Sequence, residues 1–287
     1  MPSSPQKSAL ITGCSAGGIG HALAEAFQKQ GLTVFATARS VSKMQALATL
    51  PNVTVLSLDV TSTASVTAAI AQVSQITGGR LDYLVNNAGQ SGYMPALDVD
   101  VDDHDGPASP YRLFDVNFWG MLRMVQNCAP LLIETSGTVV NIGSVNGVVH
   151  PPLCSVYNAT KAAVHSLGET LRMELQPLGV QVLTVVTGTI RTQIQANVPE
   201  LPLPVDSRYH AVQPFLDAMH AGTAFPNKMN AAVYAQQVVG DILGGATGKV
   251  YRGTNAANAR YAVTFLPQSF RDKILTGPTH LDEVGKK

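Results

Sequence analysis

Cysteine is scarce in this sequence: Cys14, Cys128 and Cys154 are the three in 287 residues, odd in number and far apart. That pattern argues against a disulfide framework and for a reducing, cytoplasmic setting. No Cys/His cluster has zinc spacing, so no metal is expected there. No apolar run reaches the ~18 residues that a membrane-spanning helix needs. The start, Met1 to Lys7, lacks an apolar stretch and does not read as a signal peptide. Neither sign of charge is in excess, with 19 Lys and Arg against 19 Asp and Glu. A nucleic-acid partner would demand a basic excess or face, and none is expected. Charged residues make up only 13% and hydrophobic ones 45%, which argues against disorder and suits a well-buried core. Near-zero net charge is compatible with a homodimer or homotetramer.

What is present is alternation. Ser8–Thr12, Leu32–Thr37, Val53–Leu58, Leu81–Val85, Thr138–Ile142 and Val180–Val186 read as short apolar strands. Helical stretches lie between them, to about Gln30, then at Lys43–Leu50, Ala64–Thr77, Arg112–Leu132 and Ser155–Leu175. Strands without polar alternation are covered on both faces. Strand–helix alternation implies an α/β, Rossmann-type, doubly wound parallel sheet. With no linker and no repeat, residues 1–287 read as a single domain. Residues 191–230 carry Pro199, Pro202, Pro204, Pro214 and Pro226 and read as a substrate lid with some helix. Residues 254–287 form a tail, whose expected dock is its own domain or an oligomer partner rather than a membrane. The stretch Asp98–Asp105 holds five aspartates plus His104. It reads as a solvated loop; calcium is the sharper alternative, but the glycine and glutamate of an EF-hand loop are missing.

Thr12-Gly13-Cys14-Ser15-Ala16-Gly17-Gly18-Ile19-Gly20 joins the first strand to the first helix. Glycines there permit a tight turn and close approach of backbone N–H groups to a pyrophosphate at a helix N-terminus. The second strand ends Ala38-Arg39-Ser40. The carboxylate that an NAD enzyme places there is missing, whereas Arg39 and Ser40 suit a ribose 2′-phosphate, so NADP(H) is the expected cofactor. Asp59, after the third strand, is placed for the adenine amino group or for a helix cap. Asn86-Asn87-Ala88-Gly89 ends the fourth strand with small residues under the ribose and amides that tie strand ends together.

Tyr157 and Lys161 are four apart on a predicted helix and share a face. Ser144 ends the preceding strand, and Asn117 lies in the helix before it. These are the types that hydride transfer at a carbonyl requires. A phenol exchanges the proton at oxygen, and an ammonium and the oxidised nicotinamide lower its pKa. Lys161 also suits the nicotinamide ribose, Ser144 the substrate oxygen, and Asn117 a water that links Lys161 to solvent.

With these marks, Ser8 to about Thr192 resembles the short-chain dehydrogenase/reductase family. Within it, Gly13–Gly20, Phe35–Arg39 and Val185-Val186-Thr187-Gly188 resemble the fungal acyl-dihydroxyacetone-phosphate-reductase-like group. The resemblance implies B-face hydride transfer from NADPH, with Asn117, Ser144, Tyr157 and Lys161 as a catalytic tetrad. It also implies that Ile19, Asp59, Asn87, Arg123, Ile190 and Thr192 surround the cofactor, beside Gly13, Ser15, Gly18, Gly20, Arg39, Ser40, Ala88, Gly89 and Gly188. Two departures stand out. The glycine turn is one residue longer than the common form, and Thr187 replaces the usual proline before Gly188. Cys154 reads as a structural thiol and His165 as a packed helix residue. The expected activity is NADPH-dependent interconversion of a hydrophobic ketone and its alcohol, in specialised metabolism or lipid metabolism. Steroid-like, polyketide, terpenoid, alkaloid and lipid ketones all fit. The alternatives are a non-redox isomerase or cyclase, and a non-catalytic NADP(H)-binding regulator.

Overall fold

The computed structural model describes residues 6–195, 198 and 202–286. Met1 to Pro5, Ala196 and Asn197 and Pro199 to Leu201 in the expected lid, and Lys287 lie outside the described residues. In chain order the elements are β1 (Ser8–Thr12), α1 (Ile19–Lys29), β2 (Thr33–Ala38), α2 (Gln45–Ala48), β3 (Val53–Ser57), α3 (Thr63–Thr77) and β4 (Tyr83–Asn86). Then come α4 (Pro110–Phe114), α5 (Gly120–Ile133), β5 (Thr138–Ile142), α6 (Asn146–Val149), α7 (Ser155–Leu175), β6 (Gln181–Thr187) and β7 (Ile190–Arg191). The chain closes with α8 (Gln213–His220), β8 (Met229–Asn230), α9 (Ala231–Leu243), β9 (Gly248–Arg252), α10 (Ala256–Phe265) and α11 (Gln268–Thr276).

Seven parallel strands form one sheet in the order β3-β2-β1-β4-β5-β6-β9. All six expected strands are present, within a residue or two of the expected ends. The seventh, β9, was not expected. Its Gly-Lys-Val-Tyr-Arg sequence carries two cations, and as an edge strand it is only partly buried, so no apolar run announces it.

The strand pleat sends alternate side chains to opposite faces. Ala9, Ile11, Val140, Ile142, Leu183 and Val185 pack with α1 and α9 residues in one core. Leu10, Phe35, Leu84, Val139 and Val182 pack with α3 and α5 in the other. Both faces are therefore apolar, which is why the strands do not alternate with polar residues. Phe27 and Phe35 are among the largest fully buried side chains, one on each face. The result is a single-domain Rossmann-type sheet.

Two local features position the site. The strand order reverses between β1 and β4, and the crevice beyond such a reversal is where ligands bind in open α/β sheets. The helix expected over Arg112–Leu132 is broken by a π-helical turn, Asp115–Trp119, between α4 and α5. Ser109 caps its start by accepting the Arg112 N–H, with Pro110 in the first turn. Asn117 sits inside the π turn, a local rewinding common at functional sites.

Candidate active site

The ends of β1, β4, β5 and β6 open onto a cavity of about 1370 Å³. At one end lies the glycine turn. Gly13 and Gly17 both hold φ +74°, which side chains disfavour. A Cβ on Gly13 would lie 2.9 Å from Ala88 Cα, so the turn lies close against the end of β4. Gly18 caps α1, whose first turn carries no acidic residue. Gly17 is covered by Gln193, whose Cγ a Cβ there would approach to 2.9 Å. Gly20 does not line the cavity. A Cβ there would be 2.5 Å from Gly13 O and 2.6 Å from Asn87 Nδ2, so this glycine admits the helix against the turn.

Asn87 binds the turn to β4. Its Nδ2 donates to Thr12 O at 2.7 Å and Gly13 O at 3.1 Å. Thr12 Oγ1 accepts the N–H groups of Asn87 and Ala88. Asn86 Nδ2 donates to Asn141 Oδ1 on the neighbouring strand at 3.0 Å. The expected tying of strand ends is thus present.

Beyond β2, Arg39, Ser40 and Lys43 line the cavity. Asp59 faces it too. Burial raises its pKa, but the N–H and hydroxyl of Thr61, at 2.9 and 2.7 Å, and the charges of Arg39 and Arg112 outweigh this and hold it below the usual carboxylate value. The cap of α3 is Ser62 rather than Asp59.

The groups expected to handle the proton meet at the ends of β5 and α7. Tyr157 is partly exposed, with its hydroxyl in a pocket that Ser144, Tyr93 and Cys154 share. Enclosure raises the phenol above its ordinary pKa; the Ser144 hydrogen bond works the other way, and Tyr93 and Cys154 reinforce the rise. Lys161 is 7% exposed. Its Nζ donates to Ile142 O at 3.1 Å and lies 5.9 Å from the Tyr157 ring centre. Burial lowers its pKa to about 8. In the chain's own field, therefore, enclosure dominates Tyr157, and the pKa lowering expected from Lys161 does not offset it.

Asn117 is buried beside this group but does not line the cavity. Its Oδ1 accepts the Gln90 N–H at 2.8 Å, and its Nδ2 donates to Gln90 O at 2.9 Å and Thr160 Oγ1 at 3.0 Å. The side chain clamps the loop after β4, which leaves the backbone carbonyl as the other expected holder of the water. Gly89 lies between: a Cβ there would come 3.2 Å from Asn117 Oδ1 and 3.7 Å from Lys161 Nζ.

Arg123 is placed elsewhere. Its guanidinium donates to Val60 O and pairs with Asp115 at 3.4 Å, outside the cavity wall. From α5 the side chain reaches back across the loop after β3 and is held there, rather than at the cofactor position expected of it. Gly188, Ile190 and Thr192 do line the cavity, as do Gly13, Ser15, Gly18, Ile19, Asn87, Ala88 and Gly89. Thr187, in place of proline, forms a 2.7 Å hydroxyl pair with the fully buried Tyr234.

Sequence reasoning missed several wall residues. Tyr93 in a loop, Lys43 in a short turn and Arg112 in α4 are single residues without a recognisable spacing. The tail is a larger omission. Asn258, Ala259 and Ala262 from α10, Leu266 just after it, and Arg271, Ile274 and Leu275 from α11 line the cavity, and Arg271 Nε is enclosed without a hydrogen-bond partner among the described residues. Cys14, Cys128 and Cys154 are all buried free thiols raised by burial, Cys14 and Cys154 to about 12. They are unsuited to nucleophilic work. In the acidic loop, Asp100 and Asp103 accept backbone N–H groups and Asp98 accepts the Ser207 hydroxyl. Among the described residues no three or more His, Cys, Asp or Glu are grouped to hold a metal, and no helix is long and apolar enough to cross a membrane.

The short chain dehydrogenase family model matches residues 7–202. The short-chain dehydrogenase ptmH of Penicillium ochrochloron is 46% identical over 270 residues, 94% of this chain and 96% of that one. The NADPH-dependent 1-acyldihydroxyacetone phosphate reductase of Schizosaccharomyces pombe is 42% identical over 209 residues, 71% of this chain and 68% of that one. A short-chain dehydrogenase from Burkholderia cenocepacia, solved in complex with NADP, superposes with a TM-score of 0.71 at 25% identity, over 94% of this chain and 98% of that one. The chain belongs to the short-chain dehydrogenase family, oxidoreductases that act between CH–OH and C=O.

Proposed function

We propose that the chain is an NADPH-dependent reductase of a hydrophobic ketone, or the dehydrogenase of the corresponding alcohol, with Tyr157 as the proton-transferring group. The observation that carries this is the meeting of Tyr157, Ser144 and Lys161 in the same cavity as the glycine turn. The turn fits a pyrophosphate, since Gly13, Ser15, Gly18 and Ile19 line the cavity at the N-terminus of α1, whose first turn carries no acidic residue. Arg39, Ser40 and Lys43, with no carboxylate at the end of β2, fit a 2′-phosphate. The NADPH named for the fission-yeast relative and the NADP in the Burkholderia structure support the same choice.

NADPH, when bound, supplies the hydride that reaches the carbonyl carbon. The residues supply the rest. Ser144 and Tyr157 hold the carbonyl oxygen between their hydroxyls. Tyr157, kept protonated by its enclosure, gives its proton to that oxygen as negative charge develops there. Lys161, with a pKa near 8, remains largely an ammonium at neutral pH and steadies the phenolate that results. The walls beyond this point are Leu153, Phe215, Leu216, Met219, Phe225, Leu266 and Leu275. They favour an apolar substrate, and the described residues of the lid segment, Phe215 to Phe225 above all, form its cover together with the tail. A substrate from specialised metabolism or lipid metabolism suits that lining.

A panel of steroid-like, polyketide, terpenoid and lipid ketones with NADPH tests the reading through loss of reduced-nicotinamide absorbance. At least one ketone is expected to turn over, and Tyr157→Phe to lose at least ~100-fold in kcat with NADPH still bound. Turnover retained by Tyr157→Phe would overturn the assignment. Conversion of a substrate with no cofactor oxidation would favour an isomerase or cyclase instead.

A further inference from the structure

The end of β5 leaves one backbone donor unpaired by the sheet. Gly143 N–H donates to Val185 O at 2.8 Å, and Val145 N–H to Thr187 O at 2.9 Å, both toward β6. Ser144 N–H, between them, points the other way, as alternate strand donors do. The strand on that side, β4, ends at Asn86, opposite Asn141, so it offers Ser144 nothing. The acceptor is Nε2 of His165 from α7, at 3.3 Å.

The surroundings are shaped to this ring. A Cβ on Gly143 would stand 2.3 Å from His165 Nε2, and one on Gly147 would stand 2.8 Å from Cε1. Any larger residue at either position would displace the imidazole. The ring is 4% exposed. Burial first, then the charges of Lys161 and Lys249 with a smaller push from His150, lower its pKa to about 4 despite an opposing Gly147 backbone contact. It is therefore neutral under working conditions, and Nε2 can accept a hydrogen bond only if the proton is on Nδ1.

We propose that His165 is a positioning residue for the reaction: its unprotonated Nε2 takes the Ser144 N–H and so fixes the hydroxyl that Ser144 presents to Tyr157. This rests on the proposed role of Tyr157. The chemistry of the step is unchanged by it; what His165 controls is the aim of Ser144.

The test compares His165→Leu, which has no acceptor, with His165→Gln, whose amide oxygen can replace Nε2. His165→Leu is expected to lower kcat by about 10- to 100-fold, the scale of a small misplacement, with NADPH affinity unchanged. The rise of activity with pH in the alcohol-oxidising direction should shift to higher pH, because a misaligned Ser144 no longer favours the phenolate. His165→Gln should recover most of both. Wild-type kcat and pH profile in His165→Leu, or equal loss in both variants, would overturn the proposal. A second measurement does not depend on how the variants fold. Nitrogen-15 spectra of the wild-type imidazole should show His165 as the Nδ1–H tautomer, and the Nε2–H tautomer would overturn it. Failure of the underlying reading looks different: there the wild type itself shows no Tyr157-dependent turnover.

Discussion

At the scale of single residues, charge and burial make separable predictions. Arg39 is exposed and lines the cavity, and no carboxylate stands beside it at the end of β2. If it holds the 2′-phosphate, Arg39→Ala should raise KM for NADPH by about 10- to 100-fold, the worth of one or two charge-assisted hydrogen bonds. KM for NADH should barely change, and steady-state kinetics with both cofactors reads the difference. His165 makes a prediction about pH. Its pKa is about 4 in the folded chain against 6.5 unfolded. Between those values the unfolded chain binds more protons, so stability falls as pH drops from 6.5 and levels off below 4. The loss is on the order of 3 kcal/mol by linkage. Urea midpoints across that range should show the decline, and His165→Gln should flatten it.

At the scale of elements, close approaches decide. Gly20 lies where α1 meets the turn, with no space for a methyl group. Gly20→Ala should cost roughly 1–3 kcal/mol through overpacking and weaken NADPH binding, as a cofactor titration alongside urea unfolding would show. Between β6 and α9, the Thr187–Tyr234 hydroxyl pair is fully enclosed. Thr187→Val strands the buried phenol and should cost about 1–3 kcal/mol, while the further change Tyr234→Phe should restore much of that. A double-mutant cycle by urea unfolding measures the coupling. The pair also accounts for the departure at this position: the threonine forgoes the rigid turn of proline and gains a tie to α9.

At the scale of the whole molecule, the tail belongs to the cavity wall. α10 and α11 line the cavity from residues that lie beyond the family-model match. Removing residues 267–287 should leave NADPH affinity near wild type and raise KM for a hydrophobic ketone by about tenfold or more, given the apolar area lost. Equal KM values before and after truncation would show that the tail plays no part in substrate binding.

The sequence by itself determined the parts that rest on local chemistry. Glycines at Gly13 and Gly17, apolar strands, and Tyr157 and Lys161 one helical turn apart impose their geometry within a few residues, so they were legible in order along the chain. What only the tertiary structure decided depends on residues that meet across large sequence separations. Arg123 was spent on Val60 and Asp115 because α5 folds back over the β3 loop. β9 paired with β6 because an open sheet edge accepts a polar strand. The tail became cavity wall. His165, a plain helix residue in sequence, became the acceptor for Ser144 because β4 ends too early to supply one. Backbone donors must be paired wherever they are buried, and which side chain pairs them is settled only when the elements pack.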